Sequence, residues 1–346
     1  MAKKLKVAVV GAGYFAQFHY DAWARIEEAE LVALCERDLE KGRKTAATYG
    51  VQEVFNDVET MMASEKPDLV DLVAPPEEHL ELIRRCAAYG AAVLCQKPFC
   101  GGLEDGRKAV ALAKRAGITL AVHENFRFQP WYREAKRLIE EGALGEVYQA
   151  SFRLRPGDGQ GPEAYLARQP YFQTMPRFLV HETAIHLIDS LRYLLGEPSG
   201  LFARLARLNP AIAGEDAGLI TLSFEGGARG LIDGNRLADH ASDNTRRTFG
   251  ELLIEGSGAC LRLDGQGRLW LRRFGAPEEE EQAYSWEDRG FSGDCVAACN
   301  RHVALHLLKG EPLETAAADY LINQAVEEAV YRSHEEGRWI DGPFRP

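Results

Sequence analysis

The chain has no apolar run approaching the roughly 20 residues that cross a bilayer, so a helical membrane span is not expected. It has no basic tract, and its formal net charge is −11. Nucleic acid is therefore not an expected partner, because phosphate recognition needs a positive face. The first residues lack the apolar core of a signal peptide and enter a strand almost at once. Cysteine is scarce: seven residues, an odd number without framework spacing. That argues against a disulfide scaffold and for reduced thiols in a cytoplasmic protein. Internal repeats and low-complexity tracts are missing too. What remains, 46% hydrophobic and 27% charged residues over 346 positions, is the composition of an ordinary globular protein long enough for two domains.

The most informative stretch runs from Lys3 to Ala16. Leu5, Val7, Val9 and Val10 give the β-branched apolar run of a covered parallel strand. Gly11 supplies the dihedrals of a tight turn. Gly13 lets a pyrophosphate approach the backbone, and Ala16 allows close packing of helix on strand. Tyr14 and Phe15 open that helix, whose first N–H groups would face the phosphates. A second strand, Glu30–Cys35, ends at Glu36, 23 residues after Gly13. That is near the spacing of the acid that binds the adenosine ribose. The pattern predicts a dinucleotide site. Glu36 favours NAD, since a carboxylate repels a 2′-phosphate; Arg37 beside it keeps NADP open.

Strands and helices then alternate as far as Ile118–Val122, which implies a parallel sheet covered by helices on both faces. The alternation stops near His123. Beyond it, Glu146–Arg155 alternates with period two. Further strand-like runs follow at 201–208, 217–225, 228–236, 247–255 and 260–274, with a helix over 182–195 and two closing helices at 293–309 and 316–336. The acidic run Glu278–Glu281 reads as a solvated loop. The expected organisation is α/β. Residues 1–123 form a Rossmann doubly wound parallel sheet, and 124–346 form an α+β domain with an open, mainly antiparallel sheet that binds substrate and oligomerises. An open sheet needs cover on both faces, so a homodimer or homotetramer through the C-terminal sheet is expected.

Doubly wound sheets present ligand residues at the carboxyl ends of their strands. Three such ends stand out: Ala74-Pro75-Pro76 with His79, Gln96-Lys97-Pro98, and His123-Glu124-Asn125 with Arg127. Lys97 would point near a nicotinamide. A second cluster is His181-Glu182-Thr183-Ala184-Ile185-His186 with Asp189. His181 and His186 are five apart, about 140° around a helix, which argues against a zinc pair. Glu182, His186 and Asp189 share a helix face, where an acid could orient His186 as a general base. Cys295, Cys299, His302 and His306 line one helix seam. One helix can hardly wrap four ligands around an ion, so no metal is expected.

Together these motifs resemble the glucose–fructose oxidoreductase / inositol dehydrogenase (Gfo/Idh/MocA) family over almost the whole chain. Gly11, Gly13 and Ala16 match its nucleotide fingerprint, and Glu36 matches the acid that ends its second strand. Ala74, Pro75 and His79 match its proline-containing loop beside the nicotinamide. Gln96-Lys97-Pro98 matches its Glu-Lys-Pro motif, with Gln96 replacing the acid. Glu124-Asn125-Phe126-Arg127-Phe128 matches the stretch entering its second domain. Glu182-Thr183-Ala184-Ile185-His186 matches Asp-x-Gly-x-His, with two substitutions. Arg155-Pro156-Gly157-Asp158-Gly159, and Arg168-Gln169-Pro170-Tyr171-Phe172 through Met175-Pro176-Arg177, are similar to a branch that acts on D-apiose.

The resemblance implies a cytoplasmic NAD(P)-dependent oxidoreductase acting on a CH–OH group of a sugar or polyol. The expected reaction is oxidation at the anomeric carbon of a cyclic aldose such as D-apiose, giving a lactone. The implied catalytic residues are Lys97, His186 and Glu182. The implied cofactor residues are Gly11, Gly13, Tyr14, Phe15, Ala16, Glu36, Arg37, Ala74, Pro75, His79, Gln96, Lys97 and Asn125. Arg127, Arg153 and Arg155 join Lys97, Glu182 and His186 as sugar-binding candidates. NADPH-dependent reduction of a keto-sugar or imine, an NAD-recycling glycosidase and a non-catalytic nucleotide sensor stay open beside this.

Overall fold

The structure, a computed structural model, describes residues 4–346; Lys3 lies outside the described residues. The chain divides into two compact units. The first runs to Asn125 and takes back Asp294–Gln324 and Pro346; the second holds Phe126–Gly293 and Ala325–Arg345. The division differs from a single cut at 123/124, because the chain returns to its first unit far along its length.

The first unit alternates β1 (Leu5–Val10), α1 (Ala16–Arg25), β2 (Ala29–Cys35), α2 (Leu39–Tyr49), β3 (Glu53–Phe55), α3 (Val58–Glu65), β4 (Leu69–Leu72), α4 (Pro76–Ala87), β5 (Ala92–Gln96), α5 (Leu103–Ala116) and β6 (Leu120–His123). The strands pair in the order β3-β2-β1-β4-β5-β6, all parallel. Local chemistry sets the helix ends. Asp38 caps α2 by accepting from the Glu40 and Lys41 N–H groups, and Asp57 caps α3 through Thr60. Gly50 and Gly117 close α2 and α5 in the left-handed conformation. The core packs Val7, Val9, Trp23, Leu34, Leu69 and Leu94 with Val303 and Ala304 of the returning segment.

In the second unit come α6 (Pro130–Glu140), β7 (Val147–Leu154), a π-helical turn (Leu179–Ala184), α7 (Ile185–Leu195), β8 (Pro198–Ala206), β9 (Ala217–Phe224), β10 (Arg229–Asn235), β11 (Gly250–Gly256), β12 (Ala259–Leu263), β13 (Leu269–Arg273) and β14 (Glu280–Gln282). The chain closes with α8 (Cys295–Lys309), α9 (Ala317–Glu336) and β15 (Ile340–Asp341). Nine strands pair as β14-β13-β12-β11-β7-β10-β9-β8-β15, antiparallel except for β7 with β10.

Three details depart from the sequence pattern. The run 260–274 is two strands joined by a turn at Asp264–Arg268, where the Asp264 carboxylate accepts from the Gln266 and Arg268 N–H groups. Part of the acidic run pairs as the edge strand β14, where charges suit an exposed edge. The 182–195 helix starts as a π turn. Gly234 of β10 makes room for that turn: a Cβ there would meet a Leu179 methyl at 2.8 Å.

Candidate active site

The glycine turn of the first unit fits a dinucleotide, and its two glycines have different reasons. Gly11 has φ +107°, and a Cβ there would lie 2.3 Å from the Val73 carbonyl oxygen. The fold itself demands glycine at that point. Gly13 has ordinary backbone, and a Cβ there would meet nothing within 4 Å. No atom of the described residues requires its bareness, whereas a pyrophosphate laid on the turn would. Helix α1, opened by Phe15, has no side-chain cap at its N-terminus. Tyr14 is exposed on the rim of the turn and Ala16 is buried beneath it.

Glu36 closes the turn at its adenosine end. Its Oε2 accepts from the Ala12 N–H at 2.9 Å and lies 3.4 Å from Lys41 Nζ. A carboxylate held against the turn suits a ribose diol and opposes a phosphate at the 2′ position. Arg37 is largely exposed and pairs with Glu78 on α4 at 2.9 Å.

The ends of β4, β5 and β6 carry the remaining candidates. His79 is fully buried and spends both ring nitrogens inside the protein. Nε2 donates to the Ala74 carbonyl at 2.8 Å, and Nδ1 accepts from the Cys100 N–H at 3.3 Å. Burial pushes its pKa down to about 4, so it stays neutral. In place of the direct cofactor contact expected of it, His79 is a strut tying the Ala74-Pro75 loop to the segment after Lys97. Gln96 is buried; its Oε1 accepts the Lys97 N–H at 2.6 Å, and its Nε2 meets His19 Nε2 at 2.9 Å. Lys97 itself is half-buried. Asn125, the last residue of this stretch, is buried, and its Oδ1 has no hydrogen-bond partner among the described residues. Such an oxygen is costly without a donor, and a carboxamide ligand would supply one.

In the second unit the π turn carries Glu182, and α7 opens with Ile185 and His186. π turns recur at functional sites because they re-aim a helix face. The shared face expected for Glu182, His186 and Asp189 assumed 3.6 residues per turn throughout, which the π turn breaks. Buried Asp189 is instead bidentate on Arg127, at 2.7 Å to Nε and 2.6 Å to Nη2. His186 is 5% exposed, and its ring stacks on Phe126, centroids 4.0 Å apart and planes 4° apart. His181 pairs through Nδ1 with Glu327 at 2.6 Å.

The arginines expected to hold sugar hydroxyls are occupied within the protein. Arg127 is locked to Asp189. Arg155 donates to the Asp233 carbonyl at 2.6 Å and carboxylate at 2.5 Å. Arg153 is exposed on the sheet and meets Glu251 at 3.3 Å. A cluster not expected from the sequence stands in the 156–177 loop. Arg236, buried among the rings of Tyr165, Phe172 and Phe178, donates to Asp158 at 2.9 Å and to Thr183 Oγ1 at 2.7 Å. Arg168 reaches the same Asp158 oxygen at 3.1 Å. Burial alone would raise the Asp158 carboxyl; the two guanidiniums more than offset that and hold it below the usual carboxylate range. These contacts fasten the loop beside Thr183, the neighbour of Glu182.

The helix seam is spent locally: His302 Nε2 accepts from the Glu314 N–H at 3.0 Å, and His306 Nδ1 donates to the Glu311 carbonyl at 2.7 Å. Among the described residues, no group of three or more His, Cys, Asp or Glu side chains gathers as a metal would need. None of their helices is long and apolar enough to cross a membrane.

A glycine turn with a ribose-facing acid, and lysine and asparagine at the ends of neighbouring parallel strands, define a class: nicotinamide-dependent oxidoreductases. The chain belongs to the Gfo/Idh/MocA family of these. Residues 5–124 match the oxidoreductase family's NAD-binding Rossmann fold, and residues 132–253 match the GFO/IDH/MocA C-terminal domain. The first unit is thus an NAD-binding Rossmann domain of a sugar and polyol dehydrogenase family. Within the family, the chain is 34% identical to a D-apiose dehydrogenase of Paraburkholderia graminis, over 98% of this chain and 90% of that one. It is 31% identical to a D-apiose dehydrogenase of Rhizobium rhizogenes, over 98% and 97%. An oxidoreductase from Agrobacterium radiobacter, solved with NAD+, L-tartaric acid and magnesium, superposes with a TM-score of 0.88 at 30% identity, covering 98% of both chains.

Proposed function

We propose that this chain is an NAD-dependent dehydrogenase that oxidises a cyclic aldose, D-apiose foremost, at its anomeric carbon to the lactone. The observation that carries this reading is the 34% identity to a D-apiose dehydrogenase over 98% of the chain. NAD, when bound, supplies the hydride acceptor. The Gly11–Ala16 turn, Glu36 and Asn125 hold it through pyrophosphate, ribose and carboxamide. Lys97 donates a hydrogen bond to the reacting oxygen and stabilises the charge that develops there. His186 takes the hydroxyl proton; the flat Phe126 ring against its face fixes the imidazole plane, so its acceptor nitrogen is aimed rather than free to rotate. Glu182 holds a neighbouring hydroxyl. His79 and Gln96 support this set from within the protein. The Asp158–Arg236–Arg168 cluster shapes the loop that selects the sugar. The nine-stranded sheet pairs with a second copy through its less buried face, where Leu219, Leu231 and Leu253 stand among charged residues.

The test is NADH formation at alkaline pH over aldoses, branched sugars and inositols, each with NAD or NADP. Turnover of D-apiose with NAD well above the other pairs is the expected result. Turnover of an inositol alone would move the reacting group to a ring carbinol, and silence across the panel would turn the choice to the reductase.

A further inference from the structure

Beneath the loop that carries Lys97 lies a buried polar chain that the proposed chemistry does not use. It begins at Asp71, a carboxylate with no exposed surface in β4. Its Oδ2 accepts from Trp23 Nε1 at 2.7 Å and lies 2.7 Å from His19 Nδ1. His19, equally buried on α1, meets Gln96 Nε2 through its own Nε2 at 2.9 Å. Gln96 Oε1 then accepts the Lys97 backbone N–H at 2.6 Å.

The order of donors along this chain is fixed. A backbone N–H can only donate, so the oxygen of the Gln96 amide faces Lys97. The amide nitrogen therefore faces His19 and must donate. His19 Nε2 is then the acceptor, its proton sits on Nδ1, and that proton goes to Asp71. One neutral tautomer of His19 satisfies every link.

We propose that Gln96 is a positioning residue for Lys97, clamping the Lys97 backbone to the Asp71–His19 pair without any proton that comes and goes with pH. The inference rests on the reading that Lys97 acts on the substrate. A carboxylate at position 96, the residue expected from the family motif, could not do the same. Both its oxygens accept. One would still take the Lys97 N–H, while the other would face the lone pair of His19 Nε2. Closing that gap takes one proton from solvent, placed on the carboxyl or on His19, with one charge neutralised. When the proton leaves at higher pH, two lone pairs oppose and the clamp opens. The amide carries its own donor and needs no such proton. The groups packed around it are Tyr20 and Trp23 on α1, Cys95 on β5, His123 at the end of β6 with its ring 4.2 Å from His19, and Asn300 on α8, whose amide lies against Trp23 and His123.

The test compares the native protein with Gln96→Glu and Gln96→Met across pH 5.5–9. Thermal midpoints are measured with and without NAD, and kcat and KM with the preferred sugar. In Gln96→Glu the extra proton gives a group whose pKa is raised on folding. Its stabilisation is present at low pH and lost as pH rises through the folded value. The midpoint should match the native one at the acid end and fall below it progressively, with kcat following and the KM for NAD within about twofold. Gln96→Met, with no hydrogen bond to give, should lose about tenfold in kcat at every pH, the size of one lost buried bond. In the native protein, 15N shifts of the neutral His19 ring should report the Nδ1–H tautomer. A Gln96→Glu difference that stays flat with pH, or a native His19 protonated at Nε2, overturns the proposal. Should Lys97→Ala keep its turnover while the pH-dependent midpoint appears, the clamp stands and the role given to Lys97 falls.

Discussion

At the scale of single residues, the two glycines of the nucleotide turn separate folding from binding. Gly11→Ala places a Cβ against the Val73 carbonyl at positive φ. It should cost about 3 kcal/mol of stability, measured by denaturant unfolding. In Gly13→Val the added Cβ has nothing within 4 Å among the described residues. Its thermal midpoint should stay near the native value, while its dissociation constant for NAD rises at least tenfold, a loss of about 1.4 kcal/mol or more. A Gly13→Val protein that binds NAD normally would remove the turn from the cofactor site. Lys97→Ala should bind NAD as the native protein does and lose about 100-fold or more in kcat, as removal of one transition-state donor does.

Residue types also show what could be read from the chain. Gly11, Gly13 and Glu36 were legible because their spacing expresses one backbone path past one ligand. Asp71 had its own signal: the second acid of Asp-Leu-Val-Asp-Leu-Val falls in the middle of an apolar run, where a covered strand would bury it, and a buried acid must have a partner. His19 and Gln96 are 77 residues apart, and no spacing rule reaches that far. Arg127, Arg153 and Arg155 each pair with an acid of the same unit, and residue type alone does not separate such an ion pair from a sugar contact.

At the scale of elements, the π turn before α7 is where helical periodicity misleads. Glu182 and His186 were placed on one face by a 3.6-residue repeat that the turn does not keep, and Asp189 went to Arg127. That pair is buried on both sides. Arg127→Met leaves a buried carboxylate alone and should cost about 3–5 kcal/mol, more than the double change with Asp189→Leu. The 156–177 loop follows the same logic through Asp158, whose carboxyl is held low by Arg236 and Arg168. A depressed pKa contributes stability above the unfolded value and loses it as pH falls through the folded one. Acid should therefore weaken the native loop first. Asp158→Asn should be less stable at neutral pH and less sensitive to acid, as followed by limited proteolysis of the loop between pH 3 and 7.

At the scale of the whole molecule, the alternation of strand and helix made the first sheet legible through to its carboxyl-end residues. The second sheet was legible as strands, whereas its order was not, since β7 pairs with β10 and β11, both far from it along the chain. The return of Asp294–Gln324 to the first unit was also hidden, because its apolar stripe reads alike whichever core it meets. The exposed Leu219 on the sheet predicts self-association. Light scattering should give the mass of a dimer or tetramer, and Leu219→Glu should lower it; a native monomer would contradict the shared sheet.

The central claim, hydride loss from the anomeric carbon of a cyclic aldose, is tested most directly with sugar deuterated at that carbon. The account predicts deuterium at nicotinamide C4 of the NADH formed, a lactone without it, and a slowed single turnover. Unlabelled NADH, or deuterium retained in the sugar product, would contradict it.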